Sequence, residues 1–431
     1  MTDILSPGFS TEPYWTQALT PVAPGKMHLP ETVDVIVVGA GYAGLSVART
    51  LAQNGRSVIA FDAGRPGEGA SSRSAGSLGN LPKAKLAQLT ARYGDEVARA
   101  VYSEARLARE FVENVIREEE IDCDLQMRGR VVAAHSSKAF AKLKAGFPTF
   151  RETMGPVELL EPDRQRAEIG SEAFHGVLVV ESSATLQPAL FQQGLTSAAL
   201  RAGAYLAHQT RVTDIKRSGG TFEVTAGGRC YRAAHVVIAT NAETGRDTAV
   251  MRRLRRRLTI VPAFALTTEQ LSQGVIEQVL PKRRSFSDTF QILHYMAPAG
   301  PDRLVMSGRA GRSDGDLHTK ARRLFSYFRD RFPALAETQV SHCWTGTFAL
   351  TDDWVPHIGM EEGVHYMLGC CGVGVPMSTY LGHRIALKIL GQQDEASAYD
   401  RPLPTIPYWP ANNLLLPAAV RAFSLRDRLF R

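Results

Sequence analysis

The sequence predicts a mixed α/β protein in which a nucleotide-type strand–helix–strand unit is interleaved with a second, strand-rich unit. Three observations carry this. The 431 residues exceed one average domain and suffice for two cores. The stretch "DVIVVGAGYAGLSVARTLAQNGRSVIAFDAG", Asp34 to Gly64, reads as a buried strand, a glycine turn, a helix and a second strand stopping at an acid. Segments of similar type return in the middle and late in the chain, so the two units alternate.

Taken in order, residues 1–30 are rich in proline and polar residues and read as an arm. From Val33 the chain runs strand, helix, strand to Asp62, then enters the small-residue stretch "GEGASSRSAGSLGNLPK". A helical region with a polar face follows over about residues 84–120. Gly129 to His135 alternates as a strand does, and "QPALFQQGLTSAALRAGAYLAHQTRVTDI" reads as helix, strand, strand. "YRAAHVVIATNAE" is a buried strand ending in a turn. Residues 258–350 are mostly strand-like, broken by the helical "DLHTKARRLFSYFRDRF". Strand, glycine turn and helix return in "GVHYMLGCCGVGVPMSTYLGHRIALKIL".

Composition narrows the classes of function. The net charge of +7 is concentrated in Arg252, Arg253, Arg255, Arg256 and Arg257, without zinc-finger spacing, an RNP-like string or a long basic tail. A solvated face, or a rim that attracts an anion, accounts for it better than nucleic acid. Five cysteines form no CxxC pair, and an odd count argues against a disulfide framework, so a reducing, cytoplasmic location is expected. No N-terminal apolar stretch resembles a signal peptide, and no apolar run reaches the roughly 18 residues of a transmembrane helix. No HExxH, cysteine–histidine pair or spaced acidic cluster suggests a catalytic metal.

The central motif is Gly39-x-Gly41-x-x-Gly44, following an apolar strand and opening a helix. The first glycine permits the tight turn, the second admits a pyrophosphate to the backbone, and the third lets helix and strand approach. Asp62, 18 residues beyond Gly44, closes the second strand where a carboxylate meets ribose hydroxyls. These residues alone fit NAD and FAD equally. No second GxGxxG marks a separate NAD unit, and Gly372 and Gly374 open a late helix whose N-terminus suits negative charge on a flavin, or is an ordinary strand-to-helix turn.

Several stretches resemble the D-amino-acid oxidase/sarcosine oxidase superfamily, and within it proteins of the gamma-glutamylputrescine oxidoreductase type. They are "PYW" at Pro13, the GxGxxG unit, "GEGASSRSAGSLG" from Gly67, "VVIATNAETG" from Val236, "WTGTFALTDDWVPHIG" from Trp344 and "GCCGVGVPMSTYLGHRIALKILG". The resemblance implies a Rossmann-like FAD-binding domain (31–108, 180–262 and 350–400) interleaved with an antiparallel-sheet substrate domain (109–179 and 263–349), and a helical tail over 401–431. Gly39, Gly41, Tyr42, Ala43 and Gly44 would cradle the pyrophosphate, and Asp62 and Ala63 the ribose. Ser71, Ser72 and Arg73 would pass the phosphates, the serines alternatively capping helices. Ala75, Gly76, Ser77 and Leu78 would lie near the ring, Val212 near adenine, Ala239, Thr240 and Asn241 over the cofactor, and Gly372, Val373, Gly374 and Val375 at the pyrimidine edge.

The implied reaction moves a hydride from the carbon beside an amine nitrogen to flavin N5, giving an imine that hydrolyses; the protein orients the substrate and needs no obligatory base. Covalent members attach flavin through a cysteine near this late stretch. Here Trp344, Thr345 and Gly346 stand there and Cys343 is out of register, so noncovalent FAD is expected. Met306 aligns with a lysine that assists reaction with oxygen in sarcosine oxidases, which leaves oxygen or another acceptor open. Candidates for the substrate wall are His294, Tyr295, Arg309 and Trp344: arginine for a carboxylate, aromatic faces for an alkyl or cationic amine. The alternative for His294 and Tyr295 is packing, and for Arg309 a pair with Asp314. His357 is expected in a satisfied network rather than as a base. The substrate expected is a small amine of gamma-glutamylputrescine type. Alternatives are a dehydrogenase of a secondary or D-amino acid and a noncatalytic flavin-binding subunit, as monomer or homo-oligomer. The basic tail, with Arg421, Arg426, Arg428 and Arg431, packs on the protein or touches a membrane surface.

Overall fold

A computed structural model describes residues 3–20, 28–291, 293–308, 316–392 and 396–406. Arg309 and nearly all of the C-terminal tail, its four arginines included, lie outside the described residues.

Two large sheets divide the chain between them. The first has the order 212–218, 221–226, 229–238, 32–38, 58–61, 205–207, with 357–361 and 364–368 joined at one side. Its centre is parallel: Thr32–Val38 pairs with Val58–Phe61 on one side and with Arg229–Ile238 on the other. Strands covered on both faces need apolar residues at successive positions, which is how "VIVV" and "VIAF" read. The Tyr42–Gln53 helix crosses one face and is buried along nearly its whole length. It packs in turn against the Gly374–Leu390 helix, where a Cβ on Gly382 would stand 2.4 Å from the Ala43 carbonyl oxygen. Glycine there lets the two backbones approach.

The second sheet has nine strands, ordered 5–10, 340–350, 259–268, 303–308, 295–299, 285–288, 130–133, 177–180, 157–160. Its neighbours are antiparallel except at two junctions, Ser285–Asp288 on Arg130–Ala133 and the edge strand Leu5–Ser10 on Val340–Leu350. The edge strand arises from the segment read as an arm. Alternation sorts the sheet's side chains. Phe264, Leu266, Phe286, Met296 and Met306 pack with the Leu317–Arg329 helix on one face. Ala265, Tyr295, Ala297, Val305 and Trp344 pack together on the other, against Trp15 and Ala189.

The chain starts at the edge of the nine-stranded sheet with 5–10, enters the parallel sheet at 32–61, goes back to the nine-stranded sheet at 130–180, returns at 205–238, leaves for 259–350 and returns again at 357. The expected boundary at 108/109 falls inside the Asp95–Glu118 helix, whose buried residues from Ala98 to Ile116 share one core with the Tyr42–Gln53 and Gly374–Leu390 helices. That helix is one packing unit from end to end.

Candidate functional site

A cleft of about 620 Å³ opens over the glycine turn. Its lining includes Gly39, Gly41, Tyr42, Ala43, Asp62, Ala63, Ser71, Ser72, Arg73, Val212, Ala239, Thr240 and Asn241, all from the predicted set. The turn is shaped by absences. A Cβ on Gly44 would lie 1.8 Å from the Gly39 carbonyl oxygen, one on Gly39 would meet Ala239 O at 2.9 Å, and one on Gly41 would meet Ser71 Oγ at 2.9 Å. Gly39 also holds φ +103, a conformation that favours glycine.

Two polar side chains hold this turn. Asp62 accepts from Ala40 N at 2.7 Å and from Gly64 N at 2.8 Å, so the carboxylate fixes the turn and keeps lone pairs toward the cleft. Ser71 Oγ accepts from Tyr42 N at 3.1 Å and thereby caps the nucleotide helix, its hydroxyl hydrogen still free to donate. Ser72 is fully buried and donates to Gly67 O and Gly69 O, a structural use. Tyr42 contributes through its backbone, because its hydroxyl donates to Pro188 O in the core.

The segment after Ser72 runs between the two sheets and is tied down by two indoles. Trp15 Nε1 donates to Ser74 O at 2.8 Å and Trp344 Nε1 to Arg73 O at 2.9 Å, and the rings meet edge-on at 6.3 Å. Arg73 in turn donates to Thr345 O at 3.2 Å. Ala75 packs on the indole cluster; Gly76, at φ +69, passes where a Cβ would stand 2.0 Å from Leu186 O; Ser77 and Leu78 form a short strand on Ala184–Thr185.

Across the cleft, Asn241 joins the middle and late nucleotide segments. Its Oδ1 accepts from Gly369 N at 3.0 Å and Cys370 N at 3.2 Å, and its Nδ2 donates to Cys370 Sγ. The following turn, with Gly372 at φ +81, is hooked to the nine-stranded sheet by Cys371 N donating to Ala349 O. Val373 and Gly374 then open a 17-residue helix whose N-terminus no side chain caps, leaving its first N–H groups for an anionic partner.

The four candidates for the substrate wall separate. Tyr295 stands on the sheet face that meets the nucleotide unit, 4% exposed, with the Ser77 and Ser285 hydroxyls beside its own. Burial pushes its pKa up. Trp344 is fully buried, its N–H spent on Arg73, so it positions the crossing segment and presents no wall. His294 turns to the opposite face, 2.7 Å from Asp288 and stacked on Tyr327 at 3.5 Å, because that helix-side pair satisfies its ring. Arg309 lies outside the described residues. Met306 also faces the helices, so its alignment with a lysine beside the flavin fails on strand alternation. Cys343 is buried on that same helix side and cannot reach the cleft, which removes it as a point of covalent attachment.

His357 sits in a saturated network: Nδ1 lies 3.1 Å from Arg401 O and Nε2 3.0 Å from Asp353, which also accepts from Tyr93. Burial alone would raise the Asp353 pKa, but hydrogen bonds from His357 and Tyr93 and the His357 charge hold it at about 2. Ionised Asp353 therefore stabilises the fold above the ordinary carboxylate value of 3.8, and that contribution is lost as pH falls toward about 2. Asp353→Asn is expected to cost about 2 kcal/mol at neutral pH and to flatten the acid limb of the stability curve. Urea denaturation at a series of acid pH values reads both; an unchanged acid limb refutes the assignment.

Sequence reading missed the polar patch around Tyr295. Arg130, Ser285 and Ser287 share its face of the sheet, and Arg130 Nε donates to Ser287 Oγ at 3.0 Å with the guanidinium 5.8 Å from the Tyr295 ring. The signal was a charged residue on the inward phase of the alternating "RVVA" strand.

A family model for FAD dependent oxidoreductases (DAO) matches residues 34–387. The chain belongs to this family. FAD is thus the dinucleotide of the cleft, and the fit is visible in the side-chain-free backbone that Gly39 and Gly41 present to the cleft and in the uncapped helix N-terminus beyond Gly372. The chain is 30% identical over 403 residues to gamma-glutamylputrescine oxidoreductase of Escherichia coli K12, covering 92% of this chain and 93% of that protein. Its fold resembles glycine oxidase from Geobacillus kaustophilus (TM-score 0.72, 21% identity, 87% of this chain and 100% of the other). It also resembles L-amino acid deaminase from Proteus vulgaris (TM-score 0.70, 17% identity, 86% and 93%). This FAD oxidoreductase has no helix, among the described residues, long and apolar enough to cross a membrane.

Proposed function

We propose that this FAD-dependent oxidoreductase oxidises a substituted amine or amino acid, of the kind that the name gamma-glutamylputrescine oxidoreductase describes, at the carbon next to nitrogen. The observation that carries the reading is the polar patch of Arg130, Ser285, Ser287 and Tyr295 on an otherwise apolar sheet face turned toward the nucleotide unit, joined to a 30% relative along nearly the whole chain. Bound FAD supplies two-electron acceptance, so the substrate loses a hydride and leaves as an imine that water hydrolyses to a carbonyl compound and an amine. The chain's own residues do the rest. Gly39, Gly41 and Gly44 admit the pyrophosphate, Asp62 the ribose, and Val212 flanks the adenine end. The segment Arg73–Leu78, pinned by Trp15 and Trp344, sets the distance between cofactor and sheet. Tyr295 and Arg130 orient the substrate from the sheet, and the apolar neighbours Ala265, Ala297 and Val305 exclude water around it.

The five cysteines are free, which supports a cytoplasmic setting. The test is anaerobic addition of polyamine derivatives, N-methyl amino acids and D-amino acids to the purified protein. Bleaching of the flavin band near roughly 450 nm is expected with one class. Colour return on admitting air distinguishes oxygen from another acceptor. Intact flavin that no amine bleaches overturns the reading and favours the noncatalytic subunit.

A further inference from the structure

One polar side chain in the nucleotide cleft is used by nothing described so far. His208 follows the Tyr205–Ala207 strand, which pairs in parallel with Val58–Phe61 so that Phe61 stands opposite Ala207. The next pair along that register is Asp62 and His208. Backbone bonds fix the two segments together: Asp62 N donates to Ala207 O at 2.9 Å, Thr210 N to Asp62 O at 2.8 Å and Gln209 N to Gly64 O at 3.0 Å. Gln209 adopts φ +52, so the chain turns sharply just past His208. The Asp62 and His208 side chains both line the cleft, with Thr210 and Val212 beside them.

The two imidazole nitrogens differ. Nδ1 is buried with no hydrogen-bond partner, which leaves Nε2 as the nitrogen open to the cleft. A neutral imidazole carries one hydrogen, and a buried N–H without an acceptor costs more than a buried lone pair without a donor, so the hydrogen belongs on Nε2. Burial lowers the His208 pKa against the pull of the Asp62 charge, which keeps the ring neutral at neutral pH. The neighbouring carboxylate is an acceptor only: its two oxygens already take Ala40 N and Gly64 N and have lone pairs left. A ribose hydroxyl both donates and accepts, so Asp62 satisfies its hydrogen and leaves its oxygen in need of a donor. The enclosed donors nearby are committed, Thr210 Oγ1 to His208 O, Gln192 Nε2 toward Ala40 O, and Arg73 to Glu68 O and Thr345 O. Arg65 and Arg211 stand exposed at the rim.

We propose that His208 is a cofactor-selecting residue: its Nε2–H donates to a hydroxyl oxygen of the adenosine ribose of FAD while Asp62 accepts the hydroxyl hydrogens, so the pair recognises an intact ribose diol. One donor beside one acceptor-only group matches a vicinal diol, in which each oxygen brings both a hydrogen and lone pairs. A phosphate on either hydroxyl would set its charge against Asp62, so the pair also rejects ribose-phosphorylated dinucleotides. His208 lies 146 positions beyond Asp62 and meets it only through the pairing of Val58–Phe61 with Tyr205–Ala207.

The experiment follows release of flavin from diluted holoprotein by flavin fluorescence, for FAD and for FAD analogues whose adenosine ribose lacks the 2′- or the 3′-hydroxyl, loaded by exchange against excess. His208→Phe keeps a ring of similar size and loses the donor; it is expected to weaken FAD binding by about tenfold. One of the two deoxy analogues should bind the parent more weakly by a similar factor, and on that analogue His208→Phe should cost nothing further, because the variant and the analogue remove the same bond. His208→Gln, whose amide nitrogen can stand in for Nε2, should recover most of the affinity. FMN, which lacks adenosine, should bind parent and His208→Phe alike. Equal release of FAD from parent and His208→Phe, or losses from the variant and from both analogues that add in full, overturn the assignment. So does weaker FMN binding to His208→Phe, which would mark a general distortion of the cleft, and so does a His208→Gln protein no better than His208→Phe. None of these readouts uses turnover, so the result stands apart from the amine reading.

Discussion

Gly44→Val yields protein that carries no FAD and unfolds more readily than the parent by about 3 kcal/mol or more. The reason is contact rather than propensity. Any Cβ at Gly44 would stand 1.8 Å from the Gly39 carbonyl oxygen and 3.1 Å from Val37 Cγ1, so the helix must retreat from the strand. Retreat moves Gly41 and Tyr42 N, which Ser71 holds, and opens the turn that admits the pyrophosphate. The neighbouring oxygen is backbone and cannot swing aside, so Gly44→Ala is expected to fail in the same direction. Flavin absorbance relative to protein after gel filtration, with thermal unfolding of the same samples, reads both effects. Full flavin occupancy in Gly44→Val would show that the close crossing is not what admits the cofactor.

The second large effect is expected at Trp344. Trp344→Ala removes the largest fully buried side chain, costing about 3–5 kcal/mol. It also frees Arg73 O from its indole donor and takes away the ring against which Trp15 packs. The Arg73–Leu78 segment then loses one of its two indole anchors, so flavin retention should fall together with stability. Trp344→Phe should recover part of the packing while still lacking the hydrogen bond, and should fall between. If Trp344→Ala keeps its flavin and its melting temperature but loses turnover, the indole is a substrate wall after all.

How far the fold could be read differs between the two units for a physical reason. The nucleotide unit is written in local sequence: one strand, three glycines, one helix and an acid lie within 31 consecutive residues, Asp34 to Gly64, and the close approach of Gly44 to Gly39 and the Asp62 bonds to Ala40 N and Gly64 N fall within that span. The substrate side is written in long-range pairing. Arg130 meets Ser287 across 157 residues and lies beside the Tyr295 ring, so no spacing along the chain reveals them. His294 and Tyr295 are adjacent in sequence and on opposite faces in space; a strand guarantees that one of two neighbours is turned away, and only the register of the sheet decides which. Trp344 failed differently, since a large aromatic near the flavin stretch is as useful for anchoring a loop as for contacting a ligand.

The edge of the nine-stranded sheet carries a further consequence. Val340–Leu350 is eleven residues long and, left bare, would offer a template of unpaired N–H and C=O groups to any passing strand. Leu5–Ser10 covers the Val340–His342 end in parallel with an irregular register and presents Pro7 and Gly8 outward in its own turn. Proline has no N–H to donate and glycine little preference for extension, so the new edge is a poor template. The Leu5–Ser10 strand therefore acts as a guard against aggregation, and removing it should first show itself as lost solubility on storage, well before any change in chemistry.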